Sequence, residues 1–168
     1  MSRNGKRPTP EAPAAPPPRG GAAGGPAEPV PRRPLDAFAG ALIAAAQQVR
    51  AHAHAPYSRF AVGAAVLDER GRIHAGCNVE NAAYPQGWCA EASALAVMVA
   101  AGGKRVQAVA VCAVADDPVT PCGGCRQKLR EFAADDCPIW VADMTGPRAS
   151  YTLGTLLPNS FGPEFLKP

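Results

Sequence analysis

The stretch Val106–Ala115 constrains the fold of this chain more than any other. It reads VQAVAVCAVA, with one polar residue in ten and valine recurring throughout. Such a run is too short to cross a membrane as a helix and too apolar for a half-exposed strand, so it reads as a strand buried on both faces. A strand of that kind needs a covering layer above and another below. The surrounding sequence supplies them. Leu35–Ala53 sets Phe38, Leu42 and Val49 among alanines and polar residues, as in an amphipathic helix that ends before Pro56. Cys89–Ala101 is a largely apolar helix stopped by Gly102-Gly103, and Cys122–Ala133 is a helix with Lys128, Arg130 and Glu131 toward solvent. Phe60–Leu67 and Arg72–Asn78 form a hairpin about Asp68-Glu69-Arg70-Gly71, and Asn81–Trp88 is loop. Pro138–Asp143 and Ser150–Leu153 provide a fourth and a fifth strand. Strands alternating with helices predict an α/β protein, a three-layer α/β/α sandwich around a mixed, mostly parallel five-stranded sheet.

Composition divides the chain at residue 34. The first 34 residues hold 10 of the 19 prolines and no aromatic residue, so they cannot build a core, and 1–34 is expected to be a disordered Pro/Gly/Ala/Arg-rich extension. That extension carries six Lys/Arg against two Asp/Glu, or +4, which leaves 3 − 4 = −1 for a domain at 35–168. A transit peptide, a nucleic-acid arm and a proline-rich docking segment are weaker readings of it than an inert extension. The apolar runs Ala37–Ala46 and Ala94–Ala101 fall well short of the roughly 20 residues of a membrane span. No apolar segment follows the basic start, so a secretory signal is not expected and a cytoplasmic setting is. There the six cysteines read as reduced thiols or metal ligands.

Pro121-Cys122-Gly123-Gly124-Cys125 is the motif with the most chemistry in it. A Cys-x-x-Cys pair can be a redox dithiol, half of a four-ligand structural zinc site or part of a catalytic one. No second Cys-x-x-Cys completes a structural site, and the pair comes too late in the chain for a thioredoxin-type dithiol. Cys89 opens the preceding helix, so two helix starts can converge three sulfurs and leave a fourth zinc position open. Glu91 stands two residues on, among Trp88, Ala90, Ala92 and Leu95, where burial is expected to raise its pKa and suit it to carrying protons. Arg126 is the cation expected to donate hydrogen bonds to the thiolates.

Cys89-Ala90-Glu91 and Pro121–Gln127, with residues 57–63 and 76–85, closely resemble the homotetrameric cytidine deaminases in their three-cysteine zinc form. The resemblance runs from about Leu35 to Leu166. It implies one zinc per subunit on Cys89, Cys122 and Cys125, and hydrolytic deamination of cytidine and 2′-deoxycytidine with Glu91 as proton shuttle. It also implies that Asn78 and Glu80 bind the ribose 3′-hydroxyl, that Phe60 packs on the pyrimidine and that the Ala90 N–H meets its 2-oxo group. Tyr84 matches a position near the subunit junction, and Phe161 matches an aromatic that reaches a neighbouring subunit's pocket. The expected partners are a small nucleoside and three further copies of the chain, with no membrane and no nucleic acid. Ala92 departs from the pattern, because an arginine commonly follows the glutamate; a more negative zinc site is the expected consequence. Cys77, Cys112 and Cys137 read as inert thiols, and His52, His54 and His74 carry no expected role. A nucleoside-antibiotic deaminase, a nucleic-acid deaminase and a non-catalytic zinc module are the rival readings.

Overall fold

The computed structural model describes residues 36–166, so the expected disorder of residues 1–34 and the boundary at Leu35 lie outside the described residues. The described residues begin with helix α1 (Asp36–Arg50), followed by the hairpin β1 (Val62–Asp68) and β2 (Ile73–Cys77). Helix α2 (Ala90–Ala100) leads to β3 (Val106–Ala113), and helix α3 (Gly123–Phe132) leads to β4 (Pro138–Asp143). Then come β5 (Gly146–Thr152) and a single turn of helix, α4 (Leu153–Leu156). No helix among the described residues is long and apolar enough to cross a membrane.

The five strands form one sheet in the order β2-β1-β3-β4-β5. The sheet is mixed, as expected, but not mostly parallel: β3 with β4 is the parallel pairing, and β1–β2, β1–β3 and β4–β5 are antiparallel. The reason lies in which strand each crossover reaches. The α2 crossover returns the chain in the direction of β2, but β3 docks beyond β1, its antiparallel neighbour. Only the α3 crossover joins strands that lie side by side. The other two connections are tight turns, in which Gly71 and Gly146 adopt positive φ values of 77° and 138°.

Alternation along the strands builds the two covering layers. Ala64, Val66, Val109, Val111 and Ile139 face α2 and α3 and pack with Ala90, Ala94, Leu95, Met98 and Leu129. Ala65, Leu67, Ala108, Ala110, Cys112, Trp140 and Ala142 face α1 and pack with Leu42, Ile43 and Ala46. The result is the expected α/β/α sandwich, with β3 buried from both sides. Two glycines permit the closest approaches: a Cβ on Gly63 would meet Ala46 O of α1 at 2.0 Å, and one on Gly76 would meet Ala94 N of α2 at 2.4 Å.

The β1–β2 turn holds a buried ionic group. Asp68 is fully buried and accepts hydrogen bonds from the backbone N–H groups of Arg70 and Arg72, from Arg72 Nε at 2.8 Å and from His74 Nε2 at 2.9 Å. Burial alone would raise its pKa, but the bonds from His74, Arg72 and Arg70 together hold the carboxyl far below the usual range. His74 is thus a structural partner of the hairpin.

Candidate active site

The N-termini of α2 and α3 meet at the edge of β3. Cys89 and Cys122 are the N-cap residues of the two helices, each with extended backbone, and Cys125 lies buried in the first turn of α3. Their sulfurs all lie within 4.8 Å of one another, with Cys89 Sγ and Cys122 Sγ 3.9 Å apart. Tetrahedral zinc with Zn–S bonds of about 2.3 Å needs sulfurs about 3.8 Å apart. A contraction of about 1 Å or less closes the set, and the donors are the soft thiolates that zinc favours. These residues fit a three-thiolate zinc with a fourth position open.

The thiols are not alike. Burial acts to raise Cys122, but hydrogen bonds from the Cys125 backbone and side chain and from Cys89 leave it below its ordinary value. Burial, then the neighbouring charge of Cys122, pushes Cys89 up, while burial and the Glu91 charge push Cys125 up strongly. Glu91 is 4% exposed, and burial raises its pKa against the opposing pull of its own backbone N–H, the Cys125 thiol and the Lys128 charge. This is the environment expected from its apolar neighbours. Ser93, one turn on in α2, donates to Cys77 O at 2.9 Å and ties the start of the helix to the end of β2.

A cavity of about 330 Å³ opens at this point. Its wall brings together Phe60, Asn78, Glu80, Cys89, Ala90, Glu91 and Cys122, seven residues singled out in the sequence. Ser58, Val62, Val111, Val119 and Thr120 complete it and were not anticipated. Asn78 and Glu80 are held in a narrow ribbon: Val79 exchanges hydrogen bonds with Trp88 on one side, and His54 pairs with Asn78 and Glu80 on the other. His54 therefore frames the site through its backbone, beyond the end of α1.

Three further residues singled out in the sequence lie outside this wall. Tyr84 is exposed on a 3-10 turn and meets Tyr57 edge-on at 5.8 Å, beside a separate hollow that also involves Ser58, Glu80 and Asn81. Phe161 is exposed and stacks on Phe165 at 5.4 Å, outside the cavity wall. Arg126 does not make the expected bonds to sulfur. Its Nε donates to Pro121 O at 2.6 Å, one terminal nitrogen to Leu156 O at 2.8 Å and the other to Thr120 Oγ1 at 2.9 Å. The side chain leaves the helix toward the loop behind it, where three oxygens converge, so it fixes the cavity wall at Thr120 and not the sulfur charge. Ala92, where an arginine was expected by resemblance, is buried beside an apolar groove of about 570 Å³ between α2 and α3, with Trp88, Leu95 and Val99. That groove is the larger of the two, but the converging thiols and carboxylates belong to the smaller one.

An α/β/α sandwich with three clustered thiols, two of them lining one cavity with a buried carboxylate, has what a metal-dependent hydrolytic site requires. Comparison with known proteins narrows the class. Residues 38–141 match the cytidine and deoxycytidylate deaminase zinc-binding region. The cytidine deaminase of Sporosarcina psychrophila is 42% identical over 125 residues, covering 74% of this chain and 92% of that one. The Mycobacterium tuberculosis cytidine deaminase is 42% identical over 117 residues, covering 70% and 84%. The crystal structure of the Burkholderia pseudomallei cytidine deaminase superimposes with a TM-score of 0.69 at 41% identity, covering 73% of this chain and 98% of that one. The chain belongs to the cytidine deaminase family.

Proposed function

We infer that the protein catalyses zinc-dependent hydrolytic deamination of cytidine and 2′-deoxycytidine to uridine and 2′-deoxyuridine, with release of ammonia. The observation that carries this reading is the burial of Glu91 in one cavity with two of the three clustered thiols and with Asn78 and Glu80. Cys89, Cys122 and Cys125 would hold the zinc, which when bound supplies Lewis acidity that lowers the pKa of a water toward neutrality. Glu91 accepts that water's proton, its raised pKa suiting a group that must both take and return one. The water oxygen bonds to C4 of the pyrimidine while Glu91 delivers the proton to N3. Glu91, a carboxylate again, takes the remaining proton from the C4 hydroxyl and passes it to the exocyclic amine, the C4–N bond breaks, and ammonia leaves behind a C4 carbonyl. Ala90 is the first residue of α2, so its N–H lacks an intrahelical acceptor and is available to the 2-oxo group. Phe60 packs on the ring, and Asn78 with Glu80 takes the 3′-hydroxyl.

The catalytic unit starts close to Leu35, residues 1–34 being an extension that the chemistry does not use. It works in the cytoplasm as a homotetramer with one zinc per subunit. The exposed apolar side chains Trp88, Val97 and Val99 on and beside α2 support assembly, as does the exposed Phe161–Phe165 stack, with Phe161 and Tyr84 meeting neighbouring subunits.

Glu91→Gln tests the central assignment. The variant is expected to keep its zinc and to lose about 10²–10⁴-fold in kcat, measured by the fall in cytidine absorbance. Retention of wild-type turnover would overturn the shuttle role.

A further inference from the structure

Asn78 and Glu80 do more than face the cavity, since both hold the turn that presents Phe60. Glu80 Oε2 accepts from the N–H groups of Tyr57 at 2.9 Å and Ser58 at 3.2 Å, and Glu80 Oε1 accepts from the Ser58 hydroxyl. Ser58 Oγ in turn accepts from the Phe60 N–H at 3.0 Å. From the other side, Asn78 Oδ1 accepts from Val62 N at 2.8 Å and Nδ2 donates to Phe60 O at 2.9 Å. Between these anchors Arg59 is held at φ 56°, a left-handed conformation that non-glycine residues seldom adopt.

A donor and acceptor count shows what remains. A carboxylate offers about four lone-pair sites, and three are taken here, leaving one on Oε1. The Asn78 amide has two N–H groups, and one is taken. With a further lone pair unused on Asn78 Oδ1, the remaining acceptor on Glu80 and the remaining Asn78 N–H can together satisfy a single hydroxyl, which both donates and accepts.

We propose that Ser58 is a specificity-determining positioning residue, whose hydroxyl pins Glu80 Oε1 so that its remaining lone pair meets a sugar hydroxyl of the substrate. The proposal rests on the nucleoside reading of the site. Without the Ser58 hydroxyl, Oε2 stays anchored by two backbone N–H groups but Oε1 is free to swing away, and the match to a sugar hydroxyl is lost.

The test compares cytidine with 3′-deoxycytidine, and the product uridine with 3′-deoxyuridine, on wild type, Ser58→Ala and Ser58→Thr. Zinc content and thermal unfolding confirm that each variant is folded. Ser58→Ala is expected to lose about tenfold in kcat/KM on cytidine and about tenfold in uridine affinity by calorimetry, with about twofold or less on the 3′-deoxy compounds. Ser58→Thr, which keeps the hydroxyl, is expected to recover most of the difference. Equal losses on both sugars would confine Ser58 to shaping the Phe60 turn and overturn the proposal, as would no loss on either. A wild-type protein that neither deaminates cytidine nor binds uridine would remove the nucleoside reading, and the proposal with it.

Discussion

The closest approach behind the active site is also its most sensitive point. Gly76 on β2 faces α2, and a methyl group there would lie 2.4 Å from Ala94 N, 2.6 Å from Ser93 Cβ and 2.7 Å from Ser93 C. Ordinary contact begins at 3.4 Å, so helix and strand must part by about 1 Å, and two of the three atoms are backbone that no rotamer change can move. Overpacking of this kind costs about 1–3 kcal/mol. The helix that must move carries Cys89 and Glu91 at its start, while Cys122 and Cys125 stay on α3. A misplacement of about 1 Å between reacting groups is worth about 10²-fold in rate. Gly76→Ala is therefore expected to unfold in urea with about 2 kcal/mol less stability and to lose about 30–100-fold in kcat at temperatures where it is folded. Gly40→Ala is the control, because it lies in α1 with nothing within 4 Å and should gain about 0.5–1 kcal/mol with kcat unchanged. If Gly76→Ala keeps its stability within about 0.5 kcal/mol and its kcat within about twofold, close packing of α2 on β2 does not set the site, and the reasoning fails.

Asp68→Asn at the hairpin is expected to cost about 2–3 kcal/mol at pH 7, since it leaves the Arg72 and His74 donors without their buried carboxylate. The folded pKa of Asp68 is depressed, so its stabilisation is complete above the unfolded value of about 3.9 and is lost as pH falls below it. The difference in urea midpoint between variant and wild type should stay constant from about pH 7 to 5 and narrow as pH falls toward about 3; a difference that does not change with pH would refute the linkage. Removal of residues 1–34 should leave kcat, KM and zinc content unchanged, and a large loss in any of them would put the start of the catalytic unit upstream of Leu35.

How far the sequence disclosed this site depends on the range of the interaction concerned. Cys89, Glu91, Cys122 and Cys125 were legible because their placement is local: each sits at or within a turn of a helix start, and the apolar pattern, with Gly102-Gly103 closing α2, made those helices readable. β3 was legible for a similar reason, since ten nearly uniform apolar residues leave one kind of environment open to them. The strand directions were not, because pairing depends on where β3 docks relative to β1, and no residue in either strand specifies its neighbour. Arg126 shows the same limit in a side chain. Its position next to Cys125 suggested a partner for sulfur, but the direction of a guanidinium is set by where free carbonyls converge, here at Pro121 and Leu156, the latter 30 residues away.

The same distinction separates Ser58 from Asn78 and Glu80. The two latter residues lie in one short segment whose polar character stands out, whereas the importance of Ser58 comes from the left-handed turn at Arg59 that folds it back over Glu80. Arg126 and Ser58 thus act in parallel. Each is a hydrogen-bonding side chain that fixes a loop of the cavity wall, Thr120 in one case and Phe60 in the other, and neither donates a hydrogen bond to the three sulfurs. The groups proposed for catalysis lie at helix starts, which the sequence marks; the loops that carry Phe60 and Thr120 are held by polar side chains, Asn78, Glu80 and Ser58 at the one and Arg126 at the other, several of them across 16 to 30 residues of sequence.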